Sequence, residues 1–412
     1  MEGYNKKVIM SYWTICRMKT TKKIYVKVSI IFLLGGILLF SSCEKEENQK
    51  IEANRKTLFM YLPWSSNLTN YFYNNISDLE KCITKIGLNN EKVIVFISTG
   101  STEAMMFDIV SSHGRCKREI LKKYKSPPFT TIDGITAILN DVKAFAPASV
   151  YTMIIGCHGM GWLPVYEMKV RSAPHMKMHW EYQGVPLTRY FGGLTAEYQT
   201  DIKSLASGIA NAGMKMEYIL FDDCYMSSIE VAYELKDVTK YLIGSTSEMM
   251  AYGMPYATIG EYLLGNPDYQ SVCEGFYNFY STYEIMPCGT LAVTDCSELE
   301  NMAAIIKSIN SKYSFDKSLR GTIQRLDGYT PVIFYDFADY ITSLCNDPIL
   351  LNQFREQLNH LVPYKTHTKN FYSMAKGIIP INTFSGITTS DPSDNPMTVL
   401  KENTLWYKAT HN

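Results

Sequence analysis

Apolar residues along this chain fall into two alternating patterns. Continuous apolar runs occur in TLFMYLPW from Thr57, KVIVFIST from Lys92, VYTMIIGCHG from Val150, MEYILFDDC from Met216 and KYLIGSTSE from Lys240. Short unbroken runs of this kind predict strands buried on both faces. Between them, apolar residues recur every three or four positions over Leu68 to Ile86, Ile132 to Phe145, Gln199 to Ala212 and Ser228 to Leu235, as on one face of a helix. The alternation predicts an α/β fold with a mainly parallel sheet flanked by helices on both faces. Chemistry in such folds gathers at the carboxyl ends of the strands. Beyond Tyr262 the texture changes to amphipathic helices around Val272 to Tyr283 and Leu299 to Ser311, with a further strand at GTLAVTD and a strand-to-helix step at TPVIFYDFADYI. A main domain over residues 56–262 is therefore expected, followed by a C-terminal α/β extension over 263–412. The tail is polar and punctuated by prolines, and its Leu405, Trp406 and Tyr407 are expected to dock.

The first residues follow neither pattern. A basic segment precedes an apolar run from Val28 to Phe40, then Ser41, Ser42 and Cys43. The run is shorter than the ~18 to 20 residues that span a bilayer, so a secretion signal is expected over 1–43 and a permanent membrane helix is the weaker reading. The charged stretch EKEENQK that follows predicts a solvated tether over 44–55.

Composition sets limits on partners. With 46% apolar and 13% aromatic residues the chain can bury a sizeable core, and its 40 basic and 40 acidic side chains balance. No basic excess marks a nucleic-acid partner. After Cys43 the cysteines, Cys82, Cys116, Cys157, Cys224, Cys273, Cys288, Cys296 and Cys345, show no CxxC pair, so neither a zinc site nor a disulfide framework is expected. The histidines His113, His175, His179, His360, His367 and His411 likewise lack metal-like spacing.

Two predicted strands end in reactive groups. One leads to His158 and Gly159, the other to Cys224, and in a parallel sheet both side chains emerge at one edge as a thiol and imidazole dyad. The neighbouring Cys157 is expected on the opposite face as buried filler, by strand alternation. Asp222 and Asp223 pose a problem, because local negative charge opposes a thiolate. A helix start would compensate: Met226, Ile229, Val231, Ala232 and Leu235 form a near-helical stripe, placing the thiol at a strand-to-helix turn facing the helix's positive end. The segment from Leu163 to Lys203, with Pro164, Pro174 and Pro186, reads as a long exposed loop.

CHGMGW around His158 and FDDCYMSSIEVAYELKDVTKYLIGSTSEMMAYGMPY from Phe221 resemble the two signatures of clostripain-type cysteine peptidases, a resemblance that covers residues 56 to 260, and the closing WYKAT is similar to the family's far end. The resemblance implies the caspase-like (caspase-haemoglobinase) fold and an endopeptidase that cleaves after arginine or lysine. Cys224 would be the nucleophile, His158 the proton carrier, and the N–H groups of Gly159 and Cys224 the oxyanion donors. Asp222, two places before the nucleophile, would lie at the floor of the pocket for the basic side chain. Asp223 stands where the family has a small residue; it either reinforces basic specificity or caps the helix start, and capping is favoured. Glu248 matches a serine-glutamate position and is expected near the basic pocket, although Met249 replaces the usual second acid. Relatives cut themselves in the loop after the histidine, which makes Lys169, Arg171 and Lys177 the candidate processing sites. Some relatives depend on calcium; no cofactor is required for the chemistry and the sequence holds no dedicated calcium loop.

LFSSC resembles a bacterial lipobox, and the acids after it resemble the export signal of Bacteroidetes lipoproteins, so Cys43 is the expected lipidated residue and the outer membrane or cell surface the expected location. Protein or peptide substrates and a monomeric state are expected. One rival is a non-catalytic peptide-binding surface lipoprotein on the same fold. Another is a different thiol hydrolase, such as an amidase or transpeptidase.

Overall fold

A computed structural model describes residues 54–165, 184–189 and 198–411. In chain order the main elements are β1 (Asn54–Leu62), α1 (Thr69–Ile86), β2 (Glu91–Ser98), β3 (Glu103–Ser112), β4 (Arg115–Lys125), α2 (Ile132–Phe145), β5 (Ala148–Ile155), α3 (Ile202–Asn211), β6 (Met216–Phe221) and α4 (Ile229–Leu235). There follow β7 (Thr239–Gly244), α5 (Tyr256–Leu263), α6 (Tyr269–Tyr280), β8 (Thr290–Asp295), α7 (Leu299–Asn310), α8 (Phe337–Leu344), α9 (Pro348–Leu361), β9 (Tyr364–His367) and α10 (Leu405–His411).

The nine strands form one sheet in the order β9-β8-β7-β6-β5-β1-β2-β3-β4. Its centre, from β7 to β2, is parallel, and antiparallel strands close both edges. The parallel strands are the predicted ones, and their residues Leu58 to Leu62, Val93 to Ile97 and Ile219 to Phe221 are all buried. Burial on both faces is why these runs are continuous rather than alternating. Helices α1, α5 and α6 pack in one group, and α2, α3, α4, α10, α7 and α9 in another. The fold is thus the expected α/β, caspase-like arrangement.

Sequence patterning did not disclose the β3–β4 hairpin. Its turn places His113 and Gly114 at φ of 51° and 68°, the paired positive angles of a type I′ connection. Strand β4, RCKREILKKYK, lies at the edge and is largely exposed, so no apolar face marks it. Lysines on an edge strand oppose pairing with another chain. Arg118 ties the hairpin to α1 through both Glu80 oxygens, at 2.6 and 2.8 Å.

The described residues form one compact unit, and the extension expected over 263–412 supplies β8 and β9 to the common sheet. Its tail is buried over Ser385–Ser390 and at Trp406. Trp406 packs edge-on against Tyr233 and Phe337 as expected, whereas Leu405 is exposed and Tyr407 half-buried, so only the tryptophan is fully docked. Thr388 and Thr389 pair with Tyr335–Asp336, while the Thr388 N–H donates to the Ser227 carbonyl at 3.0 Å. Glu230 accepts from Thr389 Oγ1 and the Ser390 N–H. The extension therefore braces the loop that follows β6.

Candidate active site

Strands β5 and β6 are parallel neighbours whose last residues, Ile155 and Phe221, stand in register. Their exit loops consequently run side by side at the carboxyl edge. A Cβ on Gly159 would lie 2.3 Å from the Cys224 carbonyl oxygen and 2.8 Å from its nitrogen, so only glycine permits this approach. His158 is buried, and its Nε2 is 2.8 Å from Asn67 Oδ1. A carboxamide oxygen only accepts, so with Asn67 Oδ1 as its partner Nε2 carries the proton. Asn67 arrives from the β1–α1 loop, across the point where strand order reverses; it had no sequence signal beyond its place after a strand.

Cys224 does not sit at a helix start. Residues 222–228 separate β6 from α4, whose cap is Ser228 accepting from the Val231 N–H. The sulfur instead receives the Met249 N–H at 3.1 Å and is fully buried. Burial pushes its pKa well up, followed by the charges of Glu248 and Asp223, while the Met249 N–H and Arg189 act the other way. Tyr225, next in sequence, adopts a φ of 65° and stacks on Phe334 at 4.9 Å. A non-glycine residue in this region is strained unless its surroundings hold it, and here the aromatic stack does so.

Asp222 faces a basic side chain, and that side chain is the protein's own Arg189. Its Nη1 lies 2.9 Å from Asp222 Oδ1 and donates to the Asp222 carbonyl at 2.6 Å; Nη2 donates to Asn75 Oδ1 at 2.7 Å and to the Tyr252 carbonyl at 3.1 Å. Nε donates to the Ala251 carbonyl at 3.2 Å, and Phe72 underlies the guanidinium at 5.3 Å. The remaining lone pairs of Asp222 accept from the Met254 N–H and the Tyr256 hydroxyl. Its pKa is raised by burial, with Arg189 the largest opposing influence.

The main chain of this segment is held equally well. Thr188 bridges antiparallel to Met250, the Arg189 N–H donates to the Met249 carbonyl at 2.8 Å, and the Ala251 N–H donates to the Leu187 carbonyl at 2.9 Å. The Arg189 carbonyl accepts from the Gly159 N–H at 3.2 Å. An extended strand thus crosses the site with a basic side chain in a closed pocket and its carbonyl on the predicted oxyanion donor.

Three expectations need correction. Asp223 does not cap a helix: it is buried, its carboxyl is pushed well up by burial, and its Oδ2 accepts from the Cys157 thiol at 3.1 Å. Cys157 accordingly lies on the site side, because β5 ends at Ile155 and alternation does not extend past Gly156. Glu248 does not touch the guanidinium. Its Oε2 accepts from Thr188 Oγ1 at 2.7 Å and the Met374 N–H at 3.0 Å, and its Oε1 from the Tyr225 hydroxyl at 2.9 Å. Lys169, Arg171, Lys177 and Cys43 lie outside the described residues. Among the described residues no group of three or more His, Cys, Asp or Glu could hold a metal ion, and no helix is long and apolar enough to cross a membrane.

A family model described as the clostripain family matches residues 60–379. The chain belongs to the clostripain family. It is a cysteine protease of caspase-like fold, as the resemblance implied. A secreted C11 cysteine protease of Bacteroides thetaiotaomicron, iotapain, is 59% identical with a TM-score of 0.81, the match covering 87% of this chain and 99% of that one. A clostripain from Bacteroides thetaiotaomicron ATCC 29148, in complex with the peptide inhibitor BTN-VLTK-AOMK, is 66% identical over 54% of this chain and 99% of its own, with a TM-score of 0.53. An inactive zymogen C11 protease of Parabacteroides distasonis is 25% identical with a TM-score of 0.72, over 88% of this chain and 100% of that one. No curated protein matches.

Proposed function

We propose that this protease is an endopeptidase that cleaves peptide bonds after arginine or lysine, using Cys224 and His158 through a thioester, and that its first substrate is its own chain. The observation that supports the reading is the seat of Leu187–Arg189: main chain paired to Met249–Ala251, carbonyl on Gly159 N–H, guanidinium on Asp222. A substrate arginine would take that same pocket. The relative bound to BTN-VLTK-AOMK adds support, since the order Leu-Thr-Lys in its inhibitor parallels Leu187-Thr188-Arg189 here.

In this reading Cys224 Sγ attacks the carbonyl carbon after the basic residue, and the N–H groups of Gly159 and Cys224 hold the developing oxyanion. His158 Nδ1 takes the proton that the Cys224 thiol loses on attack and passes it to the departing amine. Water, deprotonated by the same imidazole, then releases the acid from the thioester. The intact chain keeps its thiol covered and protonated, so the bond between Arg189 and Tyr190 replaces Lys169, Arg171 and Lys177 as the proposed processing site. One chain supplies every group, and a monomer is proposed. The chemistry uses no cofactor; calcium, implied by resemblance, would act on folding or processing, and loss of cleavage with EDTA would place it there.

The chain is also proposed to be exported and lipid-anchored through Cys43 to the outer membrane; incorporation of labelled palmitate, abolished in Cys43→Ser, tests this. The decisive assay for function is hydrolysis of fluorogenic peptides with Arg, Lys, Asp or Leu before the leaving group, by residues 44–412 with Cys224 intact or as Cys224→Ala. Cleavage after Arg or Lys that vanishes in Cys224→Ala is expected. If no peptide is cut, the endopeptidase reading falls and the peptide-binding lipoprotein leads.

A further inference from the structure

We propose that Glu248 selects a hydroxyl-bearing residue, threonine or serine, immediately before the basic residue of the substrate; the inference rests on the endopeptidase reading above. Thr188 occupies that place in the segment lying across the site and is fully buried. Its hydroxyl donates to Glu248 Oε2 at 2.7 Å. The carboxylate is built into the wall: Oε1 accepts from Tyr225 next to the nucleophile, and Oε2 also accepts from the Met374 N–H. Ser373 and Met374 lie in and beside a short hairpin, Asn370–Ser373 with Gly377–Pro380, that belongs to the C-terminal extension. The Thr188 N–H in turn faces Met374 Sδ at 3.4 Å.

The subsite is therefore small, closed and floored by an acceptor. An ionised carboxylate can only accept, so it favours a side chain that donates. Valine matches threonine in volume but leaves the carboxylate short of one donor, and a site made to bond a hydroxyl rejects the isostere that lacks it. The extension thus acts in substrate choice as well as in bracing the β6 loop.

The test uses residues 44–412 and fluorogenic Pro-Leu-X-Arg peptides with X as Thr, Ser, Val or Ala. Thr and Ser are expected to exceed Val and Ala in kcat/KM by about 10- to 100-fold. In Glu248→Gln, which keeps the shape but loses the charge, the Thr-to-Val ratio is expected to fall several-fold toward unity even if overall activity changes. Because the ratio is internal to each protein, a general loss of activity does not mimic the result. Val cut as well as Thr by the wild-type protein would overturn the selection alone, leaving arginine cleavage intact. No cleavage of any peptide would overturn the endopeptidase reading and the selection built on it.

Discussion

Removing the Arg189 side chain should nearly abolish cleavage of the chain by itself. The guanidinium uses Nε, Nη1 and Nη2 in contacts of 2.6 to 3.2 Å, all within a pocket closed to solvent. Removing one partner of a buried ion pair costs about 3 to 5 kcal/mol, because the remaining charge stays buried and uncompensated. At about 1.4 kcal/mol per decade this corresponds to about 10²- to 10⁴-fold less occupancy of the site by the segment. Arg189→Ala should slow self-cleavage by at least about 100-fold on that argument. Arg189→Lys keeps a charge for Asp222 but loses the planar fork that also serves Asn75 and the carbonyls of Ala251 and Tyr252, so an intermediate rate is expected. The assay is a time course of intact mass and N-terminal sequencing on purified wild type, Arg189→Lys, Arg189→Ala and Cys224→Ala. Wild type should yield a fragment beginning at Tyr190, and Cys224→Ala should stay whole. A Tyr190 fragment formed by Arg189→Ala at the wild-type rate would refute the reasoning. So would wild-type cleavage only after Lys169, Arg171 or Lys177.

Three further outcomes are expected. Gly159→Ala forces a Cβ to 2.3 Å from the Cys224 carbonyl, displacing the oxyanion donor, and kcat should fall about 100-fold in a peptide assay. Gly321→Ala meets nothing within 4 Å at an ordinary φ and serves as the control. Asn67→Ala frees the His158 ring to turn and to change tautomer; kcat should drop about 10-fold with KM little changed and the pH–rate profile altered, a smaller loss than the imidazole's own contribution. Glu230, fully buried, has its pKa raised by burial from 4.5 to about 7. The folded state then binds the proton more tightly than the unfolded chain between those values, so stability is greatest below about pH 4.5 for this group and declines as pH rises to 7, by about 3 kcal/mol. Urea midpoints across that range should show the slope, and Glu230→Gln should flatten it.

The centre of the sheet was legible because strands buried on both faces leave unbroken apolar runs, as in Val93 to Ile97. The pair proposed as a dyad was legible for a related reason: parallel neighbours end at one edge, so the residues that follow two such runs leave the sheet side by side. Edge elements follow a different logic. β4 is exposed and rich in lysine, and its pairing with β3 is a property of register rather than of composition. Helix α9 carries a local mark, Asp347 capping the Ile349 N–H with Pro348 at the first turn. Arg189 had no local mark. Its role comes from pairing with Met249–Ala251, far along the chain, and from a pocket shared by Asn75, Asp222 and Tyr252. Loops whose order is imposed by distant partners do not announce it in their own sequence.

The two acids beside Cys224 have separate environments, and in the proposed mechanism they make a basic ligand part of the thiol's activation. Asp223 keeps its proton affinity high through burial and binds Cys157. Asp222 is balanced by Arg189, whose charge also lowers the proton affinity of Cys224 against the upward pull of burial, Glu248 and Asp223. If the chain is cut as proposed and Arg189 leaves, the sulfur loses the cation that lowers its proton affinity, and Asp222 stands ready to hold another in its place. Agmatine, a guanidinium without a peptide carbonyl, should therefore raise the rate at which iodoacetamide alkylates Cys224 in the self-processed protein at neutral pH, and lysine-like amines should do so less. The effect should vanish in Asp222→Asn, where no charge awaits the ligand. A cation that slows alkylation, or leaves it unchanged, would mean that the pocket selects substrate without tuning the nucleophile.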